Sequence, residues 1–218
     1  MNAVITADFI ASSALDAQEL DLLLDVLSKE FKALQDDHKV NIQFKISRGD
    51  SFQGVVGDPG IALKVLLQLK TAIAKITFDD KSEGKTPDFR AAIGIGDINL
   101  TRDSVLESNG EAFQYSGRTL DQMKGDQRTA LTTGSDAINQ EFLVSLTLMD
   151  SVMSKWSAAS FEVAYYVLKN WKEVDIAKEL SISQSAVNTR KKVANWDAIK
   201  LLMDRFNTVI TSYTSPYE

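Results

Sequence analysis

Cysteine is absent from the 218 residues, which excludes disulfides, thiolate metal sites and cysteine nucleophiles. Histidine is nearly absent: His38 is the only one, so no site can use two imidazoles. A Ser-His-Asp centre would have to be built on His38, which lies in QDDHK, a polar stretch between a helical and a strand pattern. Long apolar runs are missing as well. No window approaches the roughly 18 uninterrupted apolar residues of a membrane span. The N-terminal MNAVITADFIASS has no positive leading region and carries Asp8 inside its apolar run, unlike a signal peptide. The expectation is a cytoplasmic protein with no membrane partner.

Charge is unevenly spread. The net −6 divides into −8 over residues 1–150 and +2 over residues 151–218. A mildly basic C-terminal part leaves room for a nucleic-acid partner that the acidic whole does not suggest. The length suits one sizeable core or two small domains.

Patterning supplies the elements. Residues 3–8 read as a short buried strand ending in an acid. Leu20, Leu23, Leu24, Leu27, Phe31 and Leu34 recur at three- and four-residue steps, one face of a helix. Val40, Ile42, Phe44 and Ile46 alternate with polar residues, and SFQGVV continues beyond Arg48-Gly49-Asp50 as the second strand of a hairpin. GDPG is turn chemistry, with Pro59 suited to the first turn of a helix reaching about residue 76. FRAAIGIGDINL is a strand, residues 110–124 a helix with Gly117 permitting close packing, and residues 128–133 a last strand. The order β-α-β-β-α-β-α-β predicts an α+β fold whose first six elements match the ferredoxin-like split βαβ pattern. Gly94 and Gly96 lack the third glycine of a dinucleotide fingerprint and lie within a strand, so that motif is discarded.

Residues 135–158 read as a connecting helix between an α+β domain over residues 1–134 and an all-α module over residues 159–218. In that module Ile176, Ala177 and Leu180 share one short helix. Ile182 fills a turn, Ser183 caps the next helix, and Ala186, Val187 and Val193 supply its apolar face. The second helix offers Gln184, Ser185, Asn188, Thr189, Lys191 and Lys192, side chains able to reach base edges and phosphates from a major groove.

Asp8, ending the first strand, and Asp50, at the hairpin, can converge at one edge of a split βαβ sheet, as a pair holding divalent ions would. Spacing alone equally allows two turn acids on a charged surface. The segments VITADFIASS, ISRGDSF and ESNGEAFQYSGR resemble, in order, the three signature regions of class III nucleotidyl cyclases. With its helical tail the whole chain resembles the SatD-like proteins, a bacterial group. The resemblance implies Mg²⁺ or Mn²⁺ on Asp8 and Asp50, and a phosphate cradle at Phe9, Ile10, Ala11, Ser12 and Ser13. It implies a transition-state role for Arg118 and a homodimer with the site shared between subunits. Gln114 stands where the family has asparagine. Ile46 and Glu107 stand at the base-reading positions and do not reproduce the usual purine pattern. IAKELSISQSAV resembles the helix-turn-helix of LuxR-type regulators and sigma-factor region 4, with Ser181 where the turn usually has glycine. The leading expectation is a DNA-binding transcriptional regulator whose cyclase-like domain senses a nucleotide or metal. The alternative is a divalent-metal-dependent cyclase or related nucleotide-processing enzyme controlled by its helical module.

Overall fold

A computed structural model of the chain describes residues 1–36, 41–47, 50–78, 86–99 and 109–215. Strand β1 (Asn2–Phe9), helix α1 (Ala17–Asp36), strands β2 (Ile42–Ser47) and β3 (Ser51–Val56), helix α2 (Ala62–Ala74) and strand β4 (Phe89–Gly96) follow the expected order. Two short strands, β5 (Ile98–Asn99) and β6 (Asn109–Gly110), lead into α3 (Glu111–Gln122), β7 (Thr129–Thr132) and α4 (Asp136–Met153). The remaining helices are α5 (Ala158–Leu168), α6 (Glu173–Glu179), α7 (Gln184–Val193) and α8 (Trp196–Thr214). The stretch read as one strand over residues 89–100 breaks at Asp97, and Ile98 and Asn99 pair with Gly110 and Asn109 instead. No helix among the described residues is long and apolar enough to cross a membrane.

The fold is α+β. Its main sheet has the order β2-β3-β1-β4-β7, antiparallel except where β7 runs parallel to β4. The pleat of β1 sends Ala3, Ile5, Ala7 and Phe9 to a core shared with Leu23 and Leu27 of α1 and Leu63 and Leu66 of α2. Val4, on the other face, packs with Ala112 and Phe113 of α3. The sheet therefore lies between α1 and α2 on one side and α3 on the other. A reciprocal pair starts α1: Asp16 accepts from the Glu19 N–H and Glu19 from the Asp16 N–H, each at 2.9 Å.

Glycine sets how closely α3 lies on β4. A Cβ on Gly94 would stand 2.2 Å from the Ala112 carbonyl oxygen and 2.5 Å from the Ser116 nitrogen. Gly117, expected to permit close packing, does not: nothing lies within 4 Å of a Cβ built there. The close approach is made by the strand's glycine, because α3 turns Ala112 and Ser116 toward the sheet.

The segments 135–158 and 159–218 share the core of the sheet. Phe142, Leu146 and Met149 of α4, Phe161 and Leu168 of α5, and Trp196, Phe206 and Ile210 of α8 join the cluster that holds Ile5 and Leu66. A buried carboxylate adds a polar tie. Glu30 of α1 accepts from Gln68 of α2 at 3.1 Å, from Lys169 at 3.2 Å and from the Tyr165 hydroxyl of α5. A satellite cluster of Val163, Ile176, Ala177 and Val187, with Leu180 and Ile182 packed against it, seats α6 and α7 on α5. Val193, expected in that cluster, is 70% exposed. Two turns of helix beyond Val187, and one beyond Arg190, the chain buries Ala194 instead.

Substituting the two glycines separates their roles. Gly94→Ala is expected to lower unfolding free energy by about 1–3 kcal/mol through overpacking. Gly117→Ala is expected to raise it by roughly 0.5–1 kcal/mol through helix propensity. Urea unfolding of both variants checks this.

Burial and the hydrogen bond to Glu30 push the Tyr165 hydroxyl well above the usual tyrosine value of 10.0. The folded chain thus favours the neutral phenol. That contribution is fully present below the unfolded tyrosine pKa and is lost as the pH rises above it. The stability difference between the parent chain and Tyr165→Phe should be about 1.5–3 kcal/mol. Urea titrations should find it flat up to the ordinary tyrosine pKa and shrinking at higher pH.

Candidate functional site

Two surfaces carry the residues singled out by sequence. The first is one end of the sheet. Asp8 stands opposite Ser51 of β3 and Arg90 of β4, and the Phe9 N–H donates to the Asp50 carbonyl at 2.9 Å. The two acids thus stand at the same end of the sheet. Their carboxylates are already engaged. Arg90 grips Asp8 with both arms of its fork, Nε to Oδ1 at 2.8 Å and Nη2 to Oδ2 at 2.9 Å. The Ser12 hydroxyl donates to Asp50 Oδ2 at 2.9 Å. The hydrogen bond to Asp8 raises the Arg90 pKa, so the guanidinium is a fixed positive charge where a metal was expected. Among the described residues no group of three or more His, Cys, Asp or Glu side chains gathers to hold a metal ion. A divalent ion at Asp8 would have to share that carboxylate with the Arg90 guanidinium.

The turn after β1 is partly spent. Phe9 is buried, edge-on to Phe89 at 6.2 Å, and its N–H goes to Asp50. The Ile10 N–H goes to the Asp88 carbonyl at 3.0 Å. A cradle of N–H groups is therefore narrowed to Ala11, Ser12 and Ser13, where Ala11 takes a left-handed φ of 53° and a short 3₁₀ turn begins at Ser12. Ile46 points away from this edge. It shares the core-facing side of β2 with Ile42 and Phe44, because alternate residues of a strand take opposite faces. Lys45, its neighbour, lies on the face of Asp8, opposite Gln53, whose amide donates to Thr6 Oγ1 at 2.9 Å. Gln114 and Arg118 are exposed on the outer side of α3. Glu107, His38 and the hairpin residues Arg48 and Gly49 lie outside the described residues.

Arg90, Lys45 and Gln53 were missed by sequence reasoning. The one local signal was a charged residue inside FRAAIGIG, an otherwise small and apolar strand. Its partner became visible only with the strand register.

The second surface is α7. Ser183 caps it, accepting from the Ala186 N–H at 3.1 Å. Ser181 takes a left-handed φ of 52°, the conformation that favours glycine at this turn. Gln184, Ser185, Asn188, Thr189 and Lys192 are exposed along one side of the helix. Lys191 is not open as expected: its ammonium pairs with Glu173 of α6 at 2.6 Å. Arg190 similarly meets Glu162 of α5 at 3.4 Å. The end of α7 is fixed from outside the module, where the Trp156 indole donates to the Ala194 carbonyl at 2.9 Å.

Neither a family model nor a curated protein matches the chain. The chemistry of both surfaces therefore stands on their geometry. At the sheet edge the arrangement can present a guanidinium, two carboxylates, hydroxyls and a few N–H groups to an anionic ligand. A metal there would compete with Arg90 for the Asp8 oxygens. Removing that cation should accordingly create affinity. Arg90→Ala is expected to bind Mn²⁺ more tightly than the parent chain, by tenfold or more on the scale of a charge-assisted bidentate contact, about 1.5–3 kcal/mol. Manganese titration followed by electron paramagnetic resonance reads the difference.

Proposed function

We propose that the chain is a DNA-binding transcriptional regulator, with α6 and α7 as a helix-turn-helix and the sheet part as a nucleotidyl-cyclase-like, ferredoxin-like sensor of nucleotides. The observation that carries this reading is the outer side of α7. A capped helix start presents two amides, two hydroxyls and a lysine outward, while the opposite side is seated on α5 and α6 by Val187, Ile176 and Val163. Amide side chains suit adenine edges in a major groove, and Lys192 suits a backbone phosphate. The left-handed turn at Ser181 supports a helix-turn-helix. The resemblance to SatD-like proteins joins the two parts into one regulator, and a homodimer would let two α7 helices read two half-sites.

The sensor part is proposed to take a nucleotide at the sheet edge. Ser12, Ser13, Lys45 and Arg90 lie near Asp8 and Asp50, and a phosphate group would meet the Arg90 guanidinium there, sharing it with Asp8. A second reading is a divalent-metal-dependent cyclase or related nucleotide-processing enzyme. One observation favours it: Gln114 and Arg118, one turn apart, are both exposed on the same outer side of α3. In a homodimer that side of one protomer would face the sheet edge of the other. Turnover of a nucleotide panel with Mg²⁺ or Mn²⁺ would favour the enzyme, and binding without turnover the sensor.

Selection from a random duplex pool at low salt tests the DNA reading, with an enriched sequence as the expected result. Lys192→Ala should weaken binding to all sequences and flatten the salt dependence by about one unit of slope. Asn188→Ala should relax preference at one base pair by roughly 1–3 kcal/mol. Lys191→Ala should have a smaller effect than Lys192→Ala, since Glu173 already neutralises it. No enrichment and no salt-dependent retention would overturn the proposal.

A further inference from the structure

Where the sheet meets the last helices lies a cavity of about 340 Å³, adjoining the sheet edge at Asp88, whose carbonyl takes the Ile10 N–H. Its polar wall carries Asp88, ahead of β4, Arg128, ahead of β7, and Asp150 of α4. Its apolar wall carries Met153, Trp156 and Phe161, the last two packed edge to face at 5.1 Å. Lys70 also reaches this space, but its buried ammonium is spent on Asp88 at 2.8 Å and on the Phe89 carbonyl.

Arg128 and Asp150 are not spent in this way. The Arg128 guanidinium reaches Asp88 only at 3.6 Å, Asp126 at 3.8 Å and two carbonyls at 3.4 and 3.5 Å. All are longer than the roughly 2.7–2.9 Å of a charge-assisted hydrogen bond. Asp150 Oδ2 accepts from the N–H groups of Arg128 and Thr129 at 2.9 and 2.8 Å. Its Oδ1 accepts no hydrogen bond from the described residues. Burial pushes the Asp150 carboxyl above its usual range, although the Arg128 and Thr129 N–H groups, the Lys70 charge and the Thr129 hydroxyl all act against it.

We propose that this cavity binds a small zwitterion of the free α-amino acid class. The carboxylate lies on the Arg128 guanidinium, the ammonium on Asp150 Oδ1, and the side chain against Trp156 and Phe161. A simple anion would face Asp88, Asp126 and Asp150, and a simple cation would face Arg128 beside Lys70. A ligand with one charge of each sign leaves neither protein group desolvated and unpaired. The volume lies at the small end of the range for ligand pockets. The occupant would touch Trp156, whose indole holds the end of α7 through the Ala194 carbonyl. It would therefore act on α7 from a distance, whether or not α7 meets DNA.

Isothermal titration of the full chain against each of the common amino acids tests this, with inorganic phosphate and spermidine as singly signed probes. At least one amino acid is expected to bind with a Kd at or below about 1 mM. Arg128→Gln and Asp150→Asn are each expected to weaken that binding tenfold or more. Asp150→Asn keeps an acceptor for the two N–H groups, so it decides the matter should Arg128→Gln fail to fold. The proposal is overturned by an absence of amino-acid binding, by phosphate or spermidine binding as tightly, or by unchanged affinity in Asp150→Asn.

Discussion

A single buried carboxylate governs how the two halves of the molecule meet. Glu30 is 7% exposed, and an ionised group so placed is tolerated only with good partners. Those partners come from two other helices: Gln68 of α2, and Tyr165 of α5 with Lys169 just past its end. Lys75, at the end of α2, adds its ammonium over the Tyr165 ring at 3.6 Å, with its pKa lowered chiefly by burial. A slide of α5 by one turn would strand the acid without its donors. The apolar contacts around it would tolerate many nearby arrangements, whereas the polar geometry tolerates few. Because α5 seats α6 and α7 through Val163, the direction in which α7 faces follows from Glu30.

Both surfaces combine charge with its neutralisation nearby. Arg90 is matched by Asp8, Lys191 by Glu173 and Arg190 by Glu162. These pairs are partly exposed, so each contributes little stability. Their effect is on the field: they leave α7 with few uncompensated positive charges. An approaching polyanion would gain little from attraction at long range and must be recognised by close contacts.

Much of the fold was legible because it is written in local periodicity. The alternation of Ile42, Phe44 and Ile46, the steps from Leu23 to Leu34, and the Ser183 cap each concern residues close in sequence. The placing of Asp8 and Asp50 at one end of the sheet was legible too, since it follows from the order of the elements. What stayed hidden depends on pairing between distant segments. Arg90 meets Asp8 only through the β1–β4 register, and Glu173 meets Lys191 only once α6 crosses α7. Gly94 and Gly117 look alike in sequence. Their difference lies in which of the two faces a neighbouring backbone. Val193 and Ala194 differ by a single helical step, beyond the precision with which a short apolar stripe can be phased. Ile46 was assigned a base-reading role by its place in a motif, though the alternation of its own strand turns it into the core.

The last helix has a consequence for synthesis. Trp196, Ile199, Phe206 and Ile210 of α8 complete the core that begins at Ala3. Gly60, beside α2, leaves so little room that a Cβ there would stand 2.6 Å from Thr211 Oγ1. As the chain leaves the ribosome, β1 can pair with β3 and β4 early. The core around α2 nevertheless stays incomplete until α5 and then α8 emerge. For that interval the nascent chain exposes apolar surface that chaperones recognise. The sheet part is thus not a unit that matures ahead of the helices that follow it. Both halves reach their final form together.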